Sequence, residues 1–251
     1  MLNILLSGCN GRMGQAVSRV VSVRDNAHIA AGVDVTAAQG SDYPVYANLS
    51  DFDGVIDVVI DFSHVDNVDK VLAYCLERKL PVVLAVTGYD EAALKKIHEA
   101  AQSIPVFQSA NMSLGANLLM DLAEKAAAVL GGQFDVEIVE RHHRNKLDSP
   151  SGTALSIYNS IAKALPYQPH PQYDRSQTRQ TRPHNEIGLH AVRGGTIVGD
   201  HDVVFAGHDE VIEIRHSAAS REIFAVGAVS AANFIAEKPP GLYGMGHLIN
   251  D

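Results

Sequence analysis

The 251-residue sequence predicts an α/β fold in two parts, a doubly wound parallel sheet followed by a second, α+β domain built on an open mixed sheet. Two observations carry this. Strand-like and helix-like segments take turns over residues 1–113, the order expected of parallel strands joined by helical crossovers. Between residues 187 and 216, three β-like runs follow one another with no helix between them, which points to a mixed sheet.

Residues 2–7 form a short apolar run ending at a glycine cluster, and 15–24 continue at helical spacing through Ala16, Val17, Val20 and Val21. That is strand, tight turn, helix. Residues 28–33, ending at Asp34, and 55–62, rich in β-branched side chains, have the character of parallel strands buried on both faces. A helix is expected over 68–79, a strand over 81–86, a helix over 90–102 and a strand over 104–108. After Asn111 the pattern changes. A long helix is expected over 114–130, with Leu118, Leu119, Leu122, Ala126 and Val129 sharing a face, then a strand over 136–139 and a His-rich loop. Residues 151–165 read as a helix opened by Pro-Ser-Gly-Thr and closed at Pro166. Residues 167–185 lack apolar periodicity and read as a long surface loop. Strands at 187–193, 196–206 and 210–216 precede an Ala-rich helix over 220–236. The expected division is 1–113, completed by 218–251, and 114–217.

The net charge of −9 argues against nucleic acid or an anionic membrane surface as the main partner. Cys9 and Cys75 have neither CxxC nor His-flanked spacing, so a reducing compartment fits them and a cysteine metal site does not. The opening Met-Leu-Asn-Ile-Leu-Leu-Ser lacks a basic n-region and a small-residue cleavage site, and no apolar run approaches ~18 residues. A cytoplasmic protein with no membrane partner is expected.

Gly8-Cys9-Asn10-Gly11-Arg12-Met13-Gly14 stands between an expected strand and an expected helix, with GxxGxxG spacing. Gly8 suits the tight turn, Gly11 lets the backbone approach a pyrophosphate, and Gly14 lets helix and strand pack closely. Asp34 ends the second strand 20 residues after Gly14, where a carboxylate accepts hydrogen bonds from ribose hydroxyls. Together they predict a Rossmann-type dinucleotide site. Val35, Thr36, Ala37 and Ala38 offer no cation for a 2′-phosphate, which favours NADH over NADPH. Ala85-Val86-Thr87 and Ser109-Ala110-Asn111-Met112 close two further expected strands at the same sheet edge. Thr87 and Asn111 suit either ribose and carboxamide contacts or the capping of the next helix.

The densest chemistry lies between Glu140 and Thr153. His142 and His143 precede Lys146 by four and three residues, a grouping suited to proton transfer near neutral pH. Gly152 and Thr153 place backbone N–H groups and a hydroxyl at a helix start, which suits a carboxylate. The plainer alternative is a polar loop ending in a helix cap. A zinc reading of His142 and His143 lacks third and fourth ligands at usual spacing, so no metal is expected. His201, His208 and His216 read as surface residues of strands.

The stretch from Glu140 resembles the E-x-H-H-x-x-K-x-D-x-P-S-G-T-A signature of 4-hydroxy-tetrahydrodipicolinate reductases. The opening GxxGRMG, Asp-Phe-Ser at Asp61, Val-Thr-Gly-Tyr-Asp at Val86, Ala-Asn-Met-Ser at Ala110, the R-x-G-x-I-V-G from Arg193 and the closing G-L-Y-x-M fall in that family's order across nearly the full chain. The resemblance implies a homotetrameric NAD(P)H-dependent reductase of lysine and diaminopimelate biosynthesis, acting on a small dicarboxylate. It implies a dinucleotide-binding first domain and a second domain for substrate and oligomerisation. By position it implies His142 as proton donor or acceptor, Lys146 as proton donor, and His143, Gly152 and Thr153 as holders of the substrate carboxylates. Gly8 to Met13, Asp34, Ala85 to Thr87 and Ser109 to Met112 would line the cofactor. Two departures matter: Val35 stands where many members carry Arg or Lys, and Ala85-Val86-Thr87-Gly88 where many have Gly-Thr-Thr-Gly. The competing readings are another two-domain nicotinamide-dependent dehydrogenase, of the aspartate or homoserine type, and a non-catalytic NADH-sensing protein. Neither has a use for the His-His-x-x-Lys and Pro-Ser-Gly-Thr run.

Overall fold

The computed structural model describes residues 1–36 and 41–251, so Ala37 and Ala38, part of the stretch without a phosphate-pairing cation, lie outside the described residues. In chain order the elements are β1 (Leu2–Ser7), α1 (Arg12–Ser22), β2 (Ala27–Val33), β3 (Val45–Tyr46), β4 (Val58–Asp61), α2 (Val68–Arg78), β5 (Val82–Leu84), α3 (Glu91–Ala100) and β6 (Pro105–Gln108). There follow α4 (Leu114–Leu130), β7 (Asp135–His142), α5 (Gly152–Ala164), β8 (His170–Gln172), β9 (Glu186–Arg193), β10 (Gly199–Ala206) and β11 (Val211–Ala218). The chain ends with α6 (Glu222–Ile235), β12 (Gly241–Tyr243) and α7 (Met245–Ile249). Two compact units result, Met1–Leu114 with Glu222–Asp251, and Gly115–Arg221.

The first unit holds a seven-stranded sheet in the order β12-β6-β5-β4-β1-β2-β3, with every neighbouring pair parallel. Because successive strand residues point to opposite faces, Ile4, Leu6, Val58 and Ile60 enter one core with α1 and α6. Leu5, Val59, Val82 and Leu84 enter the other with α2 and α3. This double burial is why these strands are almost continuously apolar. Strand order reverses between β1 and β4, so the crevice expected of such a fold opens at their carboxyl ends.

The second unit is a five-stranded mixed sheet, β11-β10-β7-β9-β8, in which β7 runs parallel to β9 and antiparallel to β10. α4 and α5 supply Leu119, Ala123, Ile157 and Ile161 to its inner face, against Val136, Ile138, Leu189, Val203 and Phe205. Alternation along β7 carries Glu140 and His142 onto the same inner face as Val136 and Ile138, and both are buried.

Several segments differ from expectation. β4 begins at Val58, and the preceding Asp57 accepts from the Asn3 amide and side chain at 2.7 and 2.6 Å. The His-rich segment is partly strand: β7 continues through His142, paired to Arg193 of β9. The long loop contains β8, which pairs with β9 despite Pro171. On α4 the buried face is Ala116, Leu119, Ala123 and Ala127, while Leu118, Leu122 and Val129 are exposed. His201 is an inner-face residue of β10, 4% exposed, and not a surface one. β3, β12 and α7 carry too little periodicity to be read from sequence.

Gly227 of α6 packs directly on the chain before α4: a Cβ there would lie 1.6 Å from the Met112 carbonyl oxygen. Alanine is intrinsically the better helix residue by about 1 kcal/mol, so the sign of the change isolates the packing term. Gly227→Ala should destabilise by about 1–3 kcal/mol or more. A melting temperature equal to or above that of the parent in matched thermal scans would show that this contact yields freely.

Candidate active site

At the carboxyl edge of the first unit, Gly8 has φ +77°, and a Cβ on it would stand 2.7 Å from the Phe62 carbonyl and the Ser63 nitrogen. Only glycine lets the β1 turn lie against the end of β4. Gly14 is equally constrained, since a Cβ would meet the Gly8 oxygen at 2.2 Å and Cys9 at 2.6 Å. Gly11 is the N-cap of α1 and contributes no side-chain bond, so the N–H groups of the first turn are left for a ligand. Cys9 turns its sulfur toward Gly32, and burial, with the charge of Asp34, pushes its thiol up to about 11. Met13 packs against the core. These two residues therefore offer backbone, not polar side chains, to the loop, whereas Arg12 is exposed.

Asp34 is held from both sides: Oδ2 accepts from the Asn10 amide at 3.1 Å, and Oδ1 from the Thr36 amide at 3.1 Å and hydroxyl at 3.0 Å. Asn10 in turn donates to the Thr36 carbonyl. Gly8, Gly11 and Asp34 line one cleft of about 610 Å³, together with Val35, Phe62, Ser63, His64 and Lys70. Phe62 and Ser63 entered the sequence reading only as part of the Asp-Phe-Ser motif, and His64 and Lys70 not at all, because nothing in residue type marks a strand-end or helix side chain as cleft-lining.

Ala85 to Thr87 and Ser109 to Met112 sit at the ends of β5 and β6 and do not line that cleft. The capping alternative resolves differently for the two. α3 is capped by Asp90, whose Oδ1 accepts from the Ala93 amide at 2.7 Å, so Thr87 is exposed and not the cap. Asn111 Oδ1 accepts from the Ser113 amide at 2.9 Å, and Ser109 Oγ donates to the Asn111 carbonyl at 2.8 Å, a self-tied turn leading into α4.

The second unit brings together most of the residues between Glu140 and Thr153. Glu140, 1% exposed, accepts from Arg193 through both oxygens at 2.7 Å, from the Ser151 amide at 3.0 Å, and pairs with His142 Nδ1 at 2.6 Å. Burial alone pushes this carboxyl up, but the bonds from Arg193, His142 and Ser151 outweigh it and hold it below its ordinary 4.5. With Nδ1 of His142 taken, Nε2 is the ring nitrogen left for chemistry. It lies beside Gly199, where a Cβ would approach it to 3.0 Å.

Lys146 Nζ pairs with Asp148 Oδ1 at 2.8 Å, and this ion pair, ahead of all other contacts, lowers the carboxyl of Asp148. Ser151 caps α5 by accepting from the Ala154 amide at 3.2 Å, so Thr153 is not the cap. A Cβ built on Gly152 meets nothing within 4 Å among the described residues, so the chain is uncrowded at this point, while the Gly152 amide donates to the Asp148 carboxylate. His143 approaches Arg221 Nη2 at 3.4 Å. Sequence reasoning missed Glu140, Arg193 and His201 as working parts. The register could have found them: Glu140 faces His201 across β7 and β10, and His142 faces Arg193 across β7 and β9.

Comparison with known proteins gives a consistent result. Residues 2–112 match the family described as Dihydrodipicolinate reductase, N-terminus, and residues 115–249 the one described as Dihydrodipicolinate reductase, C-terminus. The 4-hydroxy-tetrahydrodipicolinate reductase of Caldanaerobacter subterraneus subsp. tengcongensis is 48% identical over 99% of this chain and 98% of its own. That of Clostridium tetani is 45% identical over 100% and 98%. Among solved structures, the dipicolinate-bound dihydrodipicolinate reductase of Paenisporosarcina sp. TG-14 superposes with TM-score 0.82 at 27% identity, covering 97% of each chain.

The buried groups make stability fall in acid. Burial, reinforced by the charge of His142, pushes His201 down to about 4, against 6.5 in an open chain. Between those values the unfolded chain takes up a proton that the folded one does not, a cost approaching about 3 kcal/mol at the lower limit. The stabilisation from Glu140 is present in full above 4.5 and is lost as pH falls through its lower folded value. Urea midpoints should decline from pH 6.5 toward 4, and His201→Phe should remove the upper part of that decline. A wild-type midpoint that stays flat from pH 7 to pH 4.5 would contradict this assignment.

Proposed function

The chain belongs to the dihydrodipicolinate reductase family, and we propose that it reduces 4-hydroxy-tetrahydrodipicolinate to tetrahydrodipicolinate, with loss of water and oxidation of a nicotinamide cofactor. The reaction belongs to lysine biosynthesis through diaminopimelate. The observation that carries this reading is the clustering in one unit of a Glu140-oriented His142, the Lys146–Asp148 pair and the uncrowded Gly152 at the start of α5.

The first unit's residues fit the cofactor. The glycine loop and the free N–H groups of α1 suit the pyrophosphate, the latched Asp34 suits a ribose diol, and the ends of β5 and β6 supply backbone for the remainder. A bound nicotinamide supplies hydride. Everything else falls to the chain. The N–H groups of Gly152 and Thr153 hold one substrate carboxylate, and His143 with Lys146 takes another, Lys146 exchanging Asp148 for it. Electrons driven toward the ring nitrogen call for a proton, which His142 Nε2 and the Lys146 ammonium would provide. Glu140 holds the ring through Nδ1, so that one nitrogen serves the proton.

The same reading makes the enzyme a cytoplasmic homotetramer. The second point is supported by Val192, Val211 and Ile212, left exposed on the second unit's sheet; among the described residues, no helix is long and apolar enough to cross a membrane. NADH is the preferred cofactor. Asp34 would meet a 2′-phosphate as a like charge, at about 3 kcal/mol for ~5 Å and an effective dielectric of ~20, before screening.

The direct test is oxidation of NADH by the purified protein with freshly condensed aspartate semialdehyde and pyruvate; no turnover with either nicotinamide would end the reading. His142→Gln and Lys146→Met should each lower turnover by ~10²–10⁴-fold and leave NADH affinity, measured by fluorescence titration, nearly unchanged. A variant keeping more than half of the parental rate would lose its place in the mechanism.

For the cofactor, calorimetric binding should favour NADH over NADPH. Val35 is 92% exposed, so Val35→Arg has room for its side chain and should strengthen NADPH binding more than NADH binding. A parent protein that binds NADPH more tightly would assign the phosphate to another cation, with Lys70 and Arg12 the first to test.

A further inference from the structure

Among the imidazoles of the second unit that the proposed chemistry does not use, His201 stands out because it lies against both His142 and Glu140. It occupies the inner face of β10, directly across the ladder from Glu140. Its ring meets that of His142 edge to face at 5.3 Å, and its Nε2 lies 3.2 Å from Ser151 Oγ, the cap of α5. Among the described residues, its Nδ1 is buried without a hydrogen-bond partner. Phenylalanine would fill the same space without stranding a polar atom, so the imidazole is retained at a cost that packing alone does not explain. Nor is it the residue that balances Glu140, since Arg193, His142 and the Ser151 amide already do that.

We infer that His201 is a positioning residue for the reduction, its ring fixing the orientation of His142 and its Nε2 fixing Ser151, and through Ser151 the start of the helix that receives the substrate carboxylate. The ring contact and the hydrogen bond leave from different parts of one side chain, so they can be separated. A group kept neutral by burial also suits a place against His142, because it adds no repulsion when His142 carries a proton. The inference rests on the functional reading above.

Two replacements divide the roles. His201→Gln reaches Ser151 but has no ring; His201→Phe keeps the ring and loses the hydrogen bond. Turnover is measured with the condensed substrate, and affinity for the dicarboxylate site with dipicolinate by calorimetry. The glutamine variant should lose roughly 10- to 100-fold in kcat, as expected for a misplaced reacting group, with its dipicolinate Kd within about twofold of the parent. The phenylalanine variant should weaken dipicolinate up to about 10-fold, the worth of one hydrogen bond, with the smaller loss in kcat. NADH affinity should be unchanged in both. Ser151→Gly, in which glycine still serves as a tolerable cap, gives a check that leaves the buried ring in place and should raise the dipicolinate Kd as His201→Phe does.

Folded variants with parental kcat and Kd would overturn the inference. So would equal losses in both parameters for both replacements, the mark of a purely structural role. If either replacement fails to fold, an unchanged dipicolinate Kd in Ser151→Gly overturns it. A wild-type protein that neither binds dipicolinate nor turns over substrate would instead sink the functional reading on which it rests.

Discussion

The carboxylate of Glu140 organises the second unit. It stands on the inner face of β7, where the two preceding inward positions are Val136 and Ile138, and a bare charge there would cost several kcal/mol. It is tolerable because four hydrogen bonds converge on it, and each partner comes from a different part of the chain. Arg193 ends β9, His142 ends β7, and the Ser151 amide opens α5. Satisfying one buried anion therefore sets the relative places of two strands, a helix start and the loop between them. Arg193 also donates to the Asp148 carbonyl at 2.7 Å, which ties down the segment carrying Lys146. The chemistry of the loop is thus built outward from a residue that does no chemistry.

In the first unit the governing constraint is steric, not electrostatic. Gly8 and Gly14 exist as glycines because backbone from β4 and from the loop itself occupies the space of their Cβ atoms. That close approach brings the ends of β1, β2 and β4 together around one cleft. The Asn10, Asp34 and Thr36 latch then uses loop backbone to hold a carboxylate at its rim. The two units meet different demands by different means. An extended, anion-bearing ligand asks for exposed N–H groups and little side-chain bulk, whereas a proton transfer asks for a nitrogen of known orientation.

This contrast accounts for what the sequence made legible. Buried parallel strands and glycine turns leave a local signature, so the elements of the first sheet and the Gly8 to Gly14 loop can be read from residue type and spacing alone. The cluster at His142, His143, Lys146 and Gly152 was visible as a density of polar chemistry. What was not visible depends on register. Glu140, Arg193 and His201 are separated by about 50 residues or more in two of three pairings, and only the β7, β9 and β10 ladders bring them together. The reading of His201 as a surface residue failed because a histidine on an alternating strand gives no sign of which face it joins. The face of α4 failed for a related reason: small alanines, not its leucines, make the close contact with the sheet.

A core of this size could be filled with apolar side chains, and replacement of a buried ionic cluster by well-packed hydrophobes is often neutral or stabilising by about 1–4 kcal/mol. The cluster around Glu140 thus has no need to exist on stability grounds. It leaves Arg193 Nε and His201 Nδ1 without partners among the described residues, and it makes the fold sensitive to acid. Those costs fall on the same few residues that orient His142 and cap the start of α5. A network that is expensive to bury, incompletely satisfied and confined to one end of an otherwise apolar sheet face is what results when geometry at a reacting nitrogen takes precedence over packing. The inner face of β7 records that trade within four alternate residues: Val136 and Ile138 hold the unit together, and Glu140 and His142 commit it to chemistry.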